Sequence, residues 1–334
     1  MLSACSAPST STSTQDASTQ GSNAPSANQS ITIDGSSTVY PISKAAVEAF
    51  QKANPNAEIE LAFSGTTGGF RKFCAGETQI SNASRPISTE EIEACRQAGV
   101  RFVELPLAFD ALTIAVHPQN DWATDLTVAE LKQIWEPAAQ GKITNWKQIR
   151  PSFPDRPLTL YGPGGDSGTY DYFAESIIGG DNTRSDYTAS EDDNILVQGI
   201  SNDPNALGFF GFSYFEESQD QLKAIAIDDG QGKGAVTPSR EAVENAQYQP
   251  LSRPLFLYVN LKASQDNETL RDFVEYYLKN AEELVTSVDY IPLPREAYDI
   301  NQVHLYQGAV GTAYEGKPQP YLTIREVLQK EQTF

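Results

Sequence analysis

The sequence has few basic residues and no long apolar run. Lys and Arg number 24 against 44 Asp and Glu, which gives a formal net charge of -20. Nucleic acids and anionic membrane surfaces are bound mainly through Lys and Arg, so this balance argues against both as partners. The lack of an apolar run of about 20 residues argues against a membrane-spanning helix. An anionic ligand would have to be held by local donors, because the long-range field of the protein opposes its approach.

Histidine and cysteine are also scarce. The two histidines are His117 and His304, and no cluster of Cys, His or carboxylate residues has the spacing of a metal site. We therefore expect no metal and no cofactor. The segment "GGDSGT" at 164–169 could indicate a serine nucleophile at Ser167, but a catalytic triad also needs a histidine base within hydrogen-bond reach. A serine hydrolase that uses Ser167 is a remote alternative.

The first 30 residues differ in composition from the rest of the chain. Residues 2–5, "LSAC", resemble the bacterial lipobox, in which the cysteine is acylated and becomes the mature N-terminus. The charged and apolar parts of a signal peptide do not precede it, so the signal is interpreted as truncated. Residues 6–30 are almost wholly Ser, Thr, Ala, Asn, Gln and Pro, which cannot bury enough apolar surface to order. We expect lipidation at Cys5 and a disordered tether over 1–30; an expression remnant with a disordered tail is the alternative.

The other two cysteines are Cys74 and Cys95. If the chain is extracytoplasmic, its oxidising surroundings favour a disulfide between them. Closing a loop of this length would stabilise the fold by roughly 3 kcal/mol on the chain-entropy model. Two buried free thiols are the alternative.

One arrangement occurs three times: a strand, then a loop of hydroxyl-bearing residues and glycines, then a helix. The three loops contain "SSTVYP" at 36–41, "SGTTGG" at 64–69 and "PGGDSGT" at 163–169. Each loop offers hydroxyls and free backbone N–H groups at a helix start, where the helix dipole favours an anion and glycine allows a close approach. For any single loop, helix capping by Ser or Thr is the simpler explanation. Three such loops together predict an anion-binding site.

The rest of the chain alternates strands with helices. Ser/Thr-x-x-Glu capping boxes open predicted helices at 88–99 and 127–135. The predicted strands after the second loop are 101–118, 157–162, 206–215, 222–228 and 253–260. At about 100–200 residues per domain, 334 residues predict two α/β lobes with largely parallel sheets. Ligands in such sheets bind at the carboxyl ends of the strands, where the three loops fall.

Several motifs together resemble one family. "GSSTVYP", "SGTTGG", "NASRPI", "LTVAELKQIW" followed by "GKITNW", and "GGDSGT" stand here in the order found in the periplasmic phosphate-binding proteins of ABC transporters. The chain resembles this family, called PstS, over roughly residues 31–330, and most closely its cyanobacterial-type, SphX-like branch. The "LTVAELKQIW" segment lies outside the site, so its presence indicates shared descent rather than a shared ligand.

The resemblance implies an α/β, two-lobed class II periplasmic binding protein fold with mixed, mostly parallel sheets and a hinge of two crossovers. With crossovers near 112–118 and 252–260, residues 31–115 and 256–334 would form lobe 1 and residues 116–255 lobe 2. The implied function is high-affinity binding of inorganic phosphate in the cleft between the lobes, for delivery to the transmembrane subunits of an ABC permease. The protein is expected to be a periplasmic monomer that meets the membrane only through its lipid anchor. A non-transporting phosphate or oxyanion sensor or scavenger, using the same site, is the alternative.

The resemblance also assigns phosphate-binding residues. The positions that match the family's donors, with one neighbour, are Ser36, Ser37, Thr38, Thr66, Ser167, Gly168 and Thr169. The better-known branch of the family has an arginine and an aspartate in its third loop where this chain has Pro163 and Gly165, and an acidic residue near the position of Arg85.

These departures leave two residues with open roles. Arg85 is predicted to supply the bidentate cation for phosphate, with a surface pair to a nearby glutamate as the alternative. Asp166 either accepts the proton of hydrogen phosphate, which would exclude sulfate, or braces Arg85 or caps its helix.

Overall fold

A computed structural model describes Met1 and residues 30–165, 167–180 and 182–334. The predicted tether, the lipidation site Cys5 and the site residue Asp166 lie outside the described residues. None of the helices in the described part of the chain combines the length and the apolar character that a bilayer crossing requires.

Strands and helices alternate along most of the chain, as the sequence predicts. The strands are β1 Ile31–Gly35, β2 Ile59–Leu61, β3 Ile80–Ala83, β4 Phe102–Val116, β5 Asp125–Thr127, β6 Thr159–Gly162, β7 Thr188–Ala189, β8 Ala206–Gly211, β9 Lys223–Ala224, β10 Ala226–Asp228, β11 Ser252–Asn260 and β12 Ile291–Pro292. The α-helices are α1 Tyr40–Ala53, α2 Gly65–Cys74, α3 Thr89–Gln97, α4 Val128–Trp135, α5 Gly168–Phe173, α6 Asp193–Asn202, α7 Phe212–Glu217, α8 Arg240–Glu244, α9 Leu261–Asp266, α10 Glu268–Lys279, α11 Ala281–Thr286, α12 Arg295–Gln307 and α13 Ile324–Leu328. Short 3₁₀ helices occupy Pro137–Ala139 and Trp146–Gln148, and a π-helix over Ala174–Ile178 continues α5.

A single mixed sheet joins the two halves of the molecule. Its strand order is β2-β1-β3-β11-β4-β8-β6-β7, with β9 and β12 also paired to β4, while β5 and β10 form a separate pair. β1 is parallel to β2 and β3, and β6 is parallel to β7 and β8. The antiparallel pairs all involve β4 or β11. The predicted α/β, two-lobed architecture with two crossover strands is therefore confirmed.

β4 is the longer crossover strand. All 15 of its residues are buried, as expected for a nearly continuous apolar run with neighbours on both sides. Its first ten residues pair with β11 and its last five with β8, so the two groups of strands share it. Pro106, which lacks an N–H, lies where the register with β11 shifts, between Leu255 and Phe256, and a bulge is where a strand tolerates proline. The lobe boundaries near 115/116 and 255/256 stay a prediction.

Two predicted strands differ in the structure. The run 206–215 is a strand only to Gly211, after which "FSYFEE" forms α7. The run 222–228 divides into β9, which pairs with β4, and β10, which pairs with β5. In both cases an apolar run identifies burial but not whether the buried segment is a strand or a helix, nor which sheet it joins.

The predicted disulfide and capping boxes are confirmed. Cys74 and Cys95 form a disulfide with an S–S distance of 2.00 Å, which ties the end of α2 to α3. Reciprocal capping boxes open α3 at Ser88 and α4 at Thr127. The disulfide packs in a core cluster with Phe70, Phe102, Phe256 and Tyr258.

Candidate functional site

The first loop follows β1. Gly35 has a φ of +137°, and a Cβ there would lie 2.1 Å from the carbonyl oxygen of Asn82, so glycine is needed to bring β1 against β3. The Ser36 amide donates to that same carbonyl at 2.9 Å, which fixes the chain as it enters α1. Ser36 and Thr38 are buried, with exposed fractions of 3% and 5%. α1 begins without a side-chain cap; the Tyr40 amide donates to the Ser36 carbonyl at 3.1 Å, and Pro41 has no N–H.

The second loop leads from β2 into α2. Ser64 is the N-cap residue by position, but its Oγ donates to Asp34 at 2.8 Å and does not cap the helix. Lys72 also pairs with Asp34, which is buried. Burial raises the pKa of Asp34, but the hydrogen bonds from Lys72, Ser64 and the Gly35 amide outweigh it, so the net pKa is lowered. The serine that could have capped α2 thus serves to hold the loop in place, and the helix start remains open.

The end of β3 meets the second loop. The Oγ1 of Thr66 lies 3.0 Å from the Oγ of Ser84 and accepts from the Ser84 amide at 3.2 Å. Ser84 belongs to the "NASRPI" motif but was not among the predicted ligands. Two hydroxyls at this hydrogen-bonding distance share one proton between them, so the other proton can point to a ligand.

The third loop leads into α5 and faces the first. The Ser167 Oγ accepts from the Thr169 amide at 3.2 Å, so here the serine does cap its helix. A Cβ on Gly168 would lie 2.7 Å from the Thr38 Oγ1 and 3.4 Å from its Cα. The first and third loops are therefore in close contact, and glycine at 168 is what allows it.

These loops surround a cavity of about 260 Å³, which we call the loop cavity. Its lining residues are Ser36, Ser37, Thr38, Ser64, Gly65, Thr66, Thr67, Gly68, Ser84, Arg85, Asp171, Glu175 and Arg253. Five of the predicted site residues are thus brought together: Ser36, Ser37, Thr38, Thr66 and Arg85. Of the third loop, Gly168 adjoins the cavity through its contact with Thr38, and two carboxylates from the helix that follows line it.

Arg85 lines the loop cavity but is already paired. Its Nη1 and Nη2 each donate to one carboxylate oxygen of Glu91 at 2.8 Å, and Nη2 also donates to the Thr67 Oγ1 at 3.0 Å. The guanidinium lies over the Phe70 ring, 5.6 Å from its centroid. The bidentate pair with Glu91 is the main cause of the raised pKa of Arg85. The structure thus contains the glutamate pair given above as the alternative, and a role for Arg85 in ligand binding stays a prediction.

Arg253 is a second cation in the loop cavity, and the sequence did not predict it. It lies on β11 directly opposite Asp110 of β4, with its Nε 3.1 Å from the Asp110 Oδ2. Within the described residues, its two terminal nitrogens make long contacts of 3.5 Å, one to the Thr38 Oγ1 and one to Glu175. The guanidinium stacks on Tyr172 at 3.7 Å from the ring centroid, and the side chain is only 13% exposed. Among the residues that the structure describes, the Nη atoms of Arg253 therefore have geometry left for a stronger acceptor.

One sequence signal for Arg253 exists. "SRP" occurs twice, at 84–86 and at 252–254, and both copies begin or follow a strand that borders the loop cavity.

Burial raises the pKa of Asp110, and Arg253 lowers it in part, with a net raised value. Keeping the Asp110 carboxylate charged thus costs desolvation energy, and its ion pair with Arg253 offsets part of that cost.

The arrangement needed for a serine hydrolase is not formed by the residues concerned. The Ser167 Oγ accepts from its own helix, and the Nδ1 of His117 accepts from the Gln119 amide. His304 lies in α12, where burial lowers its pKa. The structure therefore gives Ser167 a capping role.

The fold and the loop cavity define a two-lobed member of the PBP superfamily, whose domain model matches residues 9–281. The protein SphX of Synechocystis is 53% identical over 307 residues, which cover 92% of this chain and 91% of that protein. The phosphate-binding protein PstS of Staphylococcus saprophyticus is 35% identical, covering 81% of this chain and 83% of that protein. The crystal structure of a possible phosphate-binding protein from Planctomyces limnophilus is similar with a TM-score of 0.79 and 41% identity, covering 83% and 98%. The chain belongs to the family of the SphX and PstS proteins, and the resemblance found in its motifs is confirmed.

Proposed function

We propose that this protein binds inorganic phosphate in the loop cavity and delivers it to an ABC permease. The observation that carries the proposal is the convergence of two helix starts without a side-chain cap, α1 and α2, with the terminal nitrogens of the Arg253 guanidinium on one cavity. Helix starts supply amide donors and a favourable dipole for an anion, and an arginine supplies a planar pair of donors. The names of the SphX and PstS relatives point to the same ligand.

Arg253 is the cation that balances the buried anion in this proposal. Its pair with Asp110 holds it at the crossover, while its terminal nitrogens face Thr38. Arg85, whose charge is paired with Glu91, lines the same cavity without needing to contact phosphate directly. Ser167, Gly168 and Thr169 would contribute donors from the third loop, and Asp166 would either accept the proton of hydrogen phosphate or brace Arg85 or cap its helix.

Carboxylates in the cavity favour phosphate over sulfate. Asp171 and Glu175 line the loop cavity with the donors. Hydrogen phosphate has a proton that a carboxylate can accept, whereas sulfate at neutral pH has none, and two facing acceptors repel. A site with both donors and an acceptor therefore discriminates between two anions of similar size and shape.

Cellular placement follows from the same proposal. The protein would act outside the cytoplasm as a monomer, held to the membrane by acylation of Cys5 and a tether over 6–30. Residues 31–115 with 256–334 and residues 116–255 would be the two lobes that close on phosphate. The permease would have to contact both lobes at once, because the lobes must separate to release the ligand.

Isothermal titration calorimetry on phosphate-stripped protein tests the proposed function. Phosphate, sulfate, molybdate and a sugar phosphate are titrated separately at the same ionic strength. We expect one phosphate per chain and sulfate weaker by about five- to a hundredfold, because an unpaired buried acceptor costs roughly 1–3 kcal/mol. Sulfate binding as tight as phosphate, or no heat with phosphate, would contradict the proposal.

A further inference from the structure

A second cavity lies beside the loop cavity and is mainly apolar. It measures about 270 Å³, and we call it the apolar chamber. Its apolar walls include Phe109, Val243, Ala246, Tyr314, Leu322 and Ile324. These residues come from β4, from α8 and the turn after it, and from the C-terminal segment, so the chamber exists only in the folded chain.

The apolar chamber and the loop cavity share part of their walls. Ser84, Arg85, Glu175 and Arg253 line both. The Arg253 guanidinium contacts the Thr38 Oγ1 on the side of the loop cavity and stacks on Tyr172 on the side of the chamber. A tetrahedral anion held by Arg253 would thus lie next to the mouth of the chamber. The first and third loops are already in contact through Gly168 and Thr38, and the chamber is present beside the site in this arrangement.

Away from Arg253 and Glu175, several polar groups of the chamber wall are bound to the protein itself. The Tyr172 hydroxyl donates to the Pro250 carbonyl at 2.8 Å, and the Gln249 Nε2 donates to the Ser252 Oγ at 3.2 Å. The Ser252 Oγ in turn donates to the Tyr248 carbonyl at 2.7 Å. Ordered water needs two to four polar partners, whereas an apolar cavity of about 150 Å³ in another protein holds benzene. The chamber is thus better suited to an apolar group the size of one aromatic ring than to water or to a sugar.

We propose that the cleft also binds phosphate monoesters and phosphonates that carry a single compact apolar group. This inference rests on the proposed function. The phosphoryl head occupies the loop cavity in place of inorganic phosphate, and the fourth substituent of phosphorus passes Arg253 into the apolar chamber. The anionic oxygens keep the loop donors, and the apolar group loses its contact with water.

Phenylphosphonate is the test ligand, because its C–P bond is not hydrolysed, and methylphosphonate is its matched control with the same head. Calorimetry on the phosphate-stripped full chain should give phenylphosphonate an affinity about tenfold or more above that of methylphosphonate, as expected for burial of a ring. Equal affinities for the two phosphonates would overturn the proposal. So would phosphate binding with no phenylphosphonate binding, and that result would leave the proposed function intact. A protein that bound neither phosphate nor phosphonate would overturn both.

Two variants outside the loop cavity place the ring. Ser176→Phe fills the chamber from a half-buried position, and Leu322→Asn makes its wall polar at nearly constant volume. Each should weaken phenylphosphonate about tenfold and leave inorganic phosphate within twofold. Leu158→Asn is the control, since Leu158 is equally half-buried but lines neither cavity. Phenylphosphonate binding unchanged in both chamber variants would show that the ring lies elsewhere and would overturn the proposal.

Discussion

At the scale of single residues, the two arginines of the loop cavity show how similar sequence contexts acquire different roles. Arg85 and Arg253 both stand in "SRP" segments. Glu91 lies on α3 within reach of both terminal nitrogens of Arg85, whereas Asp110 on β4 reaches only the Nε of Arg253. The partner that the fold supplies, and not the local sequence, therefore leaves the Arg253 Nη atoms available to a ligand.

Replacing Arg253 separates the two arginines by experiment. Arg253→Ala should weaken phosphate binding by about 2–5 kcal/mol, because a buried anion loses its charged partner. Arg253→Lys should lose less, since it keeps a cation opposite Asp110 but not the planar pair of donors. Arg85→Ala should cost under about 1 kcal/mol, since its guanidinium is used by Glu91. Calorimetric dissociation constants measure all three.

The control for these arginine variants is Arg150→Ala. Arg150 is partly buried and pairs with Glu130 and Asp125, and it lines neither cavity. It should leave phosphate affinity unchanged. A larger loss in Arg85→Ala than in Arg253→Ala would return the role of phosphate cation to Arg85.

Gly168 gives a second prediction at this scale. In Gly168→Ala, the new Cβ would lie 2.7 Å from the Thr38 Oγ1, so the first and third loops must separate and phosphate affinity should fall about tenfold or more. Alanine at a helix start does not weaken the helix, so the melting temperature of the ligand-free protein should be unchanged or higher. Gly165→Ala, in the same loop, meets no atom within 4 Å and is the matched control. Unchanged phosphate affinity in Gly168→Ala would show that this contact does not matter for binding.

At the scale of elements, the helices divide by how they begin. α3, α4 and α13 open with full capping boxes, while α1 and α2 begin at the loop cavity without a side-chain cap. Each loop taken alone suggests capping by Ser or Thr, and this is correct for Ser167. It is wrong for Ser64, whose hydroxyl donates instead to Asp34 of the neighbouring strand β1. The lack of a side-chain cap is not confined to the site, since α7, α11 and α12 also begin without one, so the position of α1 and α2 at the loop cavity is what makes their helix starts relevant to a ligand.

The disulfide supports α2 from its other end. Cys74 ends α2 and Cys95 lies in α3, at a sequence separation of 21. The double variant Cys74→Ala/Cys95→Ala should lose about 3 kcal/mol of unfolding free energy by the chain-entropy model, measured by urea denaturation. Phosphate affinity should change little, because the cavity contacts are made at the start of α2. A double variant with the denaturation midpoint of the parent protein would contradict this prediction.

At the scale of the whole molecule, β4 and β11 hold the two halves together and carry buried charge. Glu104 on β4 is 2% exposed and accepts from the Tyr258 hydroxyl of β11 at 2.7 Å and from the Ala313 amide at 3.1 Å. Tyr258 also accepts from the Ile87 amide at 2.9 Å, which positions the segment after Arg85. Burial raises the pKa of Glu104 to about 7, against the lowering effect of these hydrogen bonds.

This carboxyl should make stability depend on pH. A raised pKa means that the folded state holds the proton more tightly, so the stabilisation is complete below the unfolded pKa of about 4.5 and is lost as pH rises to about 7. The loss should be on the order of 3 kcal/mol, from 1.36 kcal/mol per unit of pKa. Glu104→Gln, which resembles the protonated form, should remove this decline from urea-unfolding curves between pH 4.5 and 7.5. Glu48→Gln, at an exposed position, is the control, and parallel declines in Glu104→Gln and the parent would disprove the assignment.

The sequence by itself determined the elements and the identity of the loops. Periodicity and capping residues predict β1, α1, α3, α4 and β11 within a few residues, because these signals depend on neighbours close in the chain. Glycine and hydroxyl residues mark the three loops for the same reason. The family resemblance extends this to a two-lobed fold and to Ser36, Ser37, Thr38 and Thr66, which the structure gathers around one cavity.

Only the tertiary structure decided which charged groups are left for a ligand. Arg85 is separated from Glu91 by six residues, but Arg253 meets Asp110 across 143 residues of chain and Thr38 across 215. Likewise, Ser84 reaches Thr66 and Gly168 reaches Thr38 only when strands from different parts of the chain pair in one sheet. The free energy of a charge depends on every partner within a few ångströms and on its burial, and neither is encoded in the residues beside it. That is why the sequence located the loops but did not indicate Arg253, the arginine proposed to bind phosphate.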